Sequence, residues 1–164
     1  MLVLLMQHGA CLSKEINPDQ PLSPVGQGQV ERSARAMRLL GLRPTAMAAS
    51  TKTRARQTAE IVARAVGFNP ARIACDEALK PSVPAEESLR FLHAFDKAEV
   101  LFVAGHLPNL NLLATRLLSP FPDPLNLGFE NGGLLCLETT HLAAQNATLL
   151  WLLQAKHLQL LAGS

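Results

Sequence analysis

Three short stretches carry the residue types that do chemistry. The first is Gln7-His8-Gly9, reached after the unbroken apolar run Met1-Leu2-Val3-Leu4-Leu5-Met6. The second is Ser50-Thr51-Lys52-Thr53-Arg54, which follows the apolar segment Thr45 to Ala49. The third is Gly105-His106-Leu107-Pro108, which follows Val100-Leu101-Phe102-Val103-Ala104. Each begins where a short apolar run turns polar, the pattern of a buried parallel strand leading to a ligand-binding edge. By itself His8 could be an ordinary histidine at a strand end. Arg54 stands at the positive end of a helix, where a cation is misplaced for stability, so it is either a solvated surface residue or an anion clamp. Two histidines and an arginine around helix N-termini fit a phosphate site in which a neutral imidazole is the nucleophile. Metal ligation by His8 and His106 is the rival, but no third ligand has a recognisable spacing and the arginine would repel a cation.

The elements that must hold these groups read as an α/β fold. A loop from Ala10 to Leu22 leads to Ser23-Pro24, a helix start with Ser as cap and Pro in the first position. Val25, Val30, Ala34, Met37 and Leu40 approximate a helical stripe, and Gly41 is a candidate stop. Gly26 and Gly28 weaken that helix, and both are expected to admit a close approach. A second helix, capped by Ser50 or Thr51, is expected to run to Val66 and stop at Gly67. Arg72 to Asp76 gives a weak third strand, Pro84 to Phe95 a helix, and Glu99 to Ala104 a strong strand. A helix from Pro108 to Leu118 follows, then a loop with Pro120, Pro122 and Pro124. Gly132 to Leu137 and Thr148 to Leu153 are joined too closely for a crossover and are expected to pair as an antiparallel hairpin. The expected architecture is a three-layer α/β/α sandwich with a mostly parallel central sheet and an antiparallel C-terminal hairpin. The apolar tail Leu158, Leu160 and Leu161 would be a last helix on the core or part of a dimer contact.

A length of 164 residues fits a single domain, here read as residues 1–164. Apolar residues at 48% and charged residues at 17% exclude a disordered chain, and a net charge of +2 without basic blocks gives no sign of nucleic acid or a membrane surface. Cys11, Cys75 and Cys136 are odd in number and without a CxxC pair, so a reducing cytoplasm is expected and Cys11 reads as a spectator thiol. No signal peptide or membrane span is evident. His93, His141 and His157 are expected at the surface.

Taken in order, the motifs resemble the histidine phosphatase superfamily, and in particular its small SixA-type phosphohistidine phosphatases. That family runs from a strand into Arg-His-Gly, then Pro-Leu-[Ser/Thr]-x-x-Gly, then Ser-x-x-x-Arg-[Ala/Thr]-x-Gln-Thr-Ala, and later from a strand into [Gly/Ser]-His. Here the series stands as Gln7-His8-Gly9, Pro21-Leu22-Ser23-Pro24-Val25-Gly26, Ser50 through Arg54-Ala55-Arg56-Gln57-Thr58-Ala59, and Gly105-His106. The resemblance covers residues 1 to about 118 and implies a domain without a cap insertion. It implies His8 as the phosphorylated nucleophile, with Arg54, His106, Gln7 and Gly9 around the phosphate and Glu77 as the acid for the leaving group. Neither metal nor cofactor is implied. The partner would be a phosphorylated protein or a small phosphate ester. The departure is Gln7, where the family carries arginine. A neutral amide in that place leaves three readings: a slower phosphatase acting on protein phosphohistidine, with Lys52 or Lys80 adding charge; a phosphatase of small phosphomonoesters; or a module that binds phosphohistidine without turning it over.

Overall fold

A computed structural model describes residues 1–121 and 123–163. Its centre is a six-stranded sheet made of β1 (Leu2–Gln7), β2 (Ala46–Ser50), β3 (Ala74–Asp76), β4 (Val100–Gly105), β5 (Leu134–Thr139) and β6 (Ala147–Leu153). The spatial order is β3-β2-β4-β1-β5-β6. β1 to β4 are mutually parallel, β5 lies antiparallel to β1, and β6 lies antiparallel to β5. The expected hairpin is therefore present, and β6 carries a bulge opposite Cys136 and Leu137.

Helices cover both faces because the central strands are apolar on both. Alternate residues of β1 go to opposite sides: Leu4 and Met6 join one core with Met47 and Phe102, while Val3 and Leu5 join another with Leu101 and Val103. The first core is closed by α1 (Pro24–Leu39), α2 (Thr53–Val66) and α5 (Ala155–Ala162). The second is closed by α3 (Ala85–Leu92) and α4 (Asn109–Leu118). This is the three-layer arrangement read from the sequence. The apolar tail is α5, with Leu158 buried on the core and Leu160 and Leu161 exposed.

Local chemistry explains most boundaries. Ser23 caps α1 by accepting from Gly26 N, with Pro24 in the first turn. Gly41 and Gly67 adopt φ of +72° and +79° just past α1 and α2, which is how helices commonly end. Two expectations need correction. The cap of α2 is Lys52, without a side-chain bond, rather than Ser50 or Thr51, because the Thr51 hydroxyl is engaged by Glu77. The α3 segment ends at Leu92 and continues as a 3₁₀ turn, His93–Phe95. Within the proline-rich loop, Pro122 lies outside the described residues.

The two α1 glycines also part company. A Cβ on Gly26 would lie 1.8 Å from Ala10 O, so the helix and the loop after β1 touch backbone to backbone. At Gly28 a Cβ would meet only the flexible Arg32 side chain, so no close approach requires glycine there.

Candidate active site

Parallel strands deliver their carboxyl ends to one edge of the sheet, and this is where the three chemical stretches meet. Gln7 pairs in register with Gly105, so His8 and His106 leave neighbouring strands side by side. Their rings stand edge to face with centroids 4.9 Å apart. Arg54, in the first turn of α2, reaches over from the far side of β4 and donates through Nε to His8 Nε2 at 3.0 Å.

The tautomer of His8 follows from its two contacts. Nδ1 lies 2.7 Å from Gly9 O, a carbonyl that can only accept, so Nδ1 carries the proton. Nε2 then holds the lone pair, and that lone pair faces the Arg54 guanidinium. Burial pushes the His8 pKa down to about 4, aided by the positive charge of Arg54 and opposed by the Gly9 bond. The imidazole is therefore neutral at pH 7. His106 is 1% exposed, and neither ring nitrogen has a partner among the described residues. Burial, then His8, Arg54 and Lys52, bring its pKa down to about 3. An anion placed between these rings would oppose every one of those charge effects.

Supporting residues bind this group to the rest of the fold. Gln20, with its backbone in the left-handed region at φ +47°, accepts from Arg54 Nη1 at 3.4 Å. The buried Thr58 hydroxyl donates to Arg54 O at 2.8 Å and accepts from Gly9 N at 3.2 Å. Gln57 Oε1 accepts from Leu22 N at 2.7 Å, tying the Pro21-Leu22-Ser23 stretch to α2. Asn131 Nδ2 donates to His8 O at 2.8 Å. Gln20 and Asn131 were not singled out by the sequence. Gln57 and Thr58 were visible in it only as letters of a motif.

The remaining expected residues are placed as follows. Gly9 has its N–H committed to Thr58, and a Cβ there would lie 2.6 Å from Gly26 O, so its small size is used against α1. Gln7 adjoins His8 at the end of β1, with its Oε1 buried and without a partner among the described residues. Glu77 is on the exposed rim, paired with Lys80 and bonded to the Thr51 hydroxyl. Those two bonds hold its carboxyl below the usual range, which favours the ionised form over a proton donor. Lys80 is thus engaged by Glu77, while Lys52 remains close enough to bear on His106. His93, His141 and His157 are exposed. Among the described residues no three His, Cys, Asp or Glu side chains converge as a metal site, and none of the helices is long and apolar enough to cross a membrane. A concavity of about 450 Å³ is lined by Pro84, Glu86, Arg116 and Phe121 and includes neither His8 nor His106.

Residues 3–80 match the model of the histidine phosphatase superfamily, branch 1. Over that stretch, which carries Gln7-His8-Gly9 and Arg54, the chain is similar to the histidine phosphatase superfamily. Its fold is similar to that of the protein histidine phosphatase SixA complexed with tungstate, with a TM-score of 0.82, 20% identity, and coverage of 96% of this chain and 99% of the other. It is also similar to the putative phosphohistidine phosphatase SixA from Nakamurella multipartitia, with a TM-score of 0.69, 26% identity, and coverage of 92% and 94%. A putative alpha-ribazole-5'-P phosphatase from Escherichia coli shares the fold at a TM-score of 0.70 and 18% identity, with coverage of 93% and 96%. No curated protein matches the chain by sequence.

Proposed function

We propose that this chain is a histidine phosphatase superfamily member that hydrolyses protein phosphohistidine through a phosphorylated His8. One observation carries the reading: His8 has its proton fixed on Nδ1 by Gly9 O and its Nε2 lone pair aimed at the Arg54 guanidinium 3.0 Å away. A nucleophile and its charge-stabilising donor are in place before substrate arrives.

In the first step the Nε2 lone pair attacks phosphorus. The phosphorus–nitrogen bond to His8 forms as the bond to the leaving ring nitrogen breaks; the leaving ring, protonated from solvent on its other nitrogen, keeps that electron pair and departs as neutral imidazole. Arg54 turns its donors from Nε2 to the phosphoryl oxygens, and His106 becomes easier to protonate beside the added negative charge. In the second step water attacks phosphorus, the bond to Nε2 breaks with its pair returning to His8, and a proton passes to solvent as phosphate leaves. Phosphoryl transfer asks chiefly for positioning and charge stabilisation, which these residues supply.

The choice of phosphohistidine rests on the leaving group and on the exposed edge. Glu77 is held ionised at the rim, a poor state for donating a proton to an alkoxide. The imidazole released from phosphohistidine needs less help. Gln7 favours a second reading, a module that binds the phosphorylated protein without turnover, because an uncharged amide replaces one cation of the family motif.

Rapid-quench analysis with a phosphohistidine peptide separates them. A transient acid-labile phosphoryl group on the native chain, absent from His8→Ala, with release of phosphate, is the expected result. Peptide binding of equal strength in both proteins, with no phosphate released by either, establishes the binding module instead.

A further inference from the structure

The main chain around His8 loses its sheet partners just where its geometry matters most. Pairing of β1 with β5 ends at Met6 and Leu134, and pairing with β4 ends at Gln7 and Gly105, after which His8 N still donates to Gly105 O at 3.1 Å. The next residue has to be glycine, because a Cβ on Gly9 would fall 2.6 Å from Gly26 O and 2.7 Å from Val30 Cγ2. Packing against α1 therefore puts the most flexible residue type beside the nucleophile. The His8 ring also bonds through Nδ1 to Gly9 O, on the next peptide across the Gly9 Cα, so its orientation depends on how the His8–Gly9 peptide is set. A peptide free to rotate here would carry the ring with it.

Two side chains hold that peptide from either end. Thr58 Oγ1 takes the Gly9 N–H at 3.2 Å, and Asn131 Nδ2 donates to His8 O at 2.8 Å. Both atoms belong to the single peptide joining His8 to Gly9. Asn131 comes from the loop before β5, far in sequence from every motif residue. That loop is fixed without the Asn131 side chain: Gly132 N donates to Gln7 O at 2.9 Å, Ser33 Oγ to Gly132 O at 2.9 Å, Gly133 N to Glu130 O at 2.8 Å, and Glu130 N to Gln154 Oε1 at 3.0 Å. Its amide is thus spare for the fold and committed to the nucleophile's backbone.

We infer that Asn131 is a positioning residue, whose amide fixes the plane of the His8–Gly9 peptide together with Thr58 and so aims His8 Nε2 at phosphorus. This rests on the reading of His8 as the nucleophile. Misplacing a reacting atom by about 1 Å can cost about 10²-fold in rate while leaving substrate binding almost untouched.

The test is the rate of His8 phosphorylation and the KM for a phosphohistidine peptide in Asn131→Ala, Asn131→Asp, Thr58→Val and the double variant Asn131→Ala/Thr58→Val, with melting temperature measured for each. Asn131→Ala is expected to slow phosphorylation by about 10- to 100-fold, with KM within about threefold of native and an almost unchanged melting temperature. Asn131→Asp, which keeps the volume and loses the donor, is expected to fall at least as far. The double variant is expected to lose less than the product of the two single losses, because both residues hold one peptide. Phosphorylation at the native rate in folded Asn131→Ala and Asn131→Asp overturns the inference, as does strict multiplication in the double variant. A native chain that forms no phosphohistidine overturns the functional reading and this inference with it, whereas normal native turnover with indifferent Asn131 variants overturns this inference alone.

Discussion

Arg54 Nε stands 3.0 Å from His8 Nε2, so the resting guanidinium occupies the direction from which a phosphoryl group would reach His8 in the proposed reaction. Arg54 can do this and still clamp phosphate, because Nη1 remains tethered to Gln20 while Nε is exchanged. A planar fork serves both positions, and a lysine cannot imitate it. Arg54→Lys is therefore expected to keep the fold and lose about 10²- to 10³-fold in the phosphorylation rate, comparable to removing a preorganised donor at developing charge. Steady-state kinetics with a thermal melt as control would check it; a lysine variant within threefold of native would remove Arg54 from the transition state.

Both histidines are buried in their neutral forms, and the pH dependence follows with a definite sign. Their pKa values in the fold, about 4 for His8 and about 3 for His106, lie below the 6.5 of an unperturbed histidine. Below pH 6.5 the unfolded chain takes up these protons while the folded one resists. Stability contributed by keeping them neutral is complete above pH 6.5 and is lost as the pH falls toward 4, at up to about 1.4 kcal/mol per pH unit for each histidine. Melting temperature should drop steeply across that window, and His106→Gln should flatten the drop. In the same window kcat/KM should stay on its plateau as far as His8 is concerned and decline only near pH 4. Addition of inorganic tungstate should restore part of the lost melting temperature by favouring protonated His106.

Much of this arrangement was legible in the sequence, for local reasons. The apolar runs ending at His8 and His106 read as buried parallel strands, Ser23-Pro24 as a helix start, and Gly67 as the end of a helix. The convergence of His8, Arg54 and His106 follows from strand polarity alone. What escaped was long-range. Asn131, in an Asn-Gly-Gly stretch, reads as a turn, and nothing in its neighbourhood betrays a bond to a carbonyl 123 positions away. Lys52 instead of Thr51 at the start of α2 has the same cause: the Thr51 hydroxyl is drawn away by Glu77 from beyond the next strand.

Gly26 and Gly28 look alike in the sequence and should behave oppositely. Gly26→Ala drives a methyl group into Ala10 O, a backbone atom that cannot step aside without moving the loop after His8. Gly28→Ala meets only Arg32, whose side chain can move, and it replaces a poor helix former inside α1. The first change should cost several-fold or more in phosphorylation rate together with stability, while the second should add up to about 1 kcal/mol in urea unfolding at native activity. Equal effects of the two would refute the backbone contact between α1 and the His8 loop.

Glu77 offers a way to distinguish substrate classes. Its carboxyl is ionised and shared between Lys80 and Thr51, so a proton for the leaving group is not readily at hand. Glu77→Gln is expected to change turnover of a phosphohistidine peptide by less than about threefold. An alkyl phosphate ester leaves as a strongly basic alkoxide and depends on general acid help of about 10²- to 10⁴-fold. A large loss on the peptide would assign Glu77 as an acid and weaken the case for phosphohistidine.

Gln7 sets stability against function. Its Oε1 is buried and unpartnered among the described residues, a condition that costs about 1 to 3 kcal/mol. Gln7→Met keeps the length of the side chain and removes the unsatisfied oxygen, so the fold should gain stability in urea unfolding while phosphate handling declines. Gln7→Arg should do the reverse. It brings a second guanidinium beside His8, raising the phosphorylation rate by about 10-fold or more through charge-assisted bonds, and it crowds two cations near a neutral His106. The two variants together separate the functional readings. A phosphatase with a weakened clamp becomes faster with arginine and slower with methionine. A binding module gains affinity for the phosphorylated peptide with arginine yet still releases no phosphate, and that outcome would end the catalytic assignment.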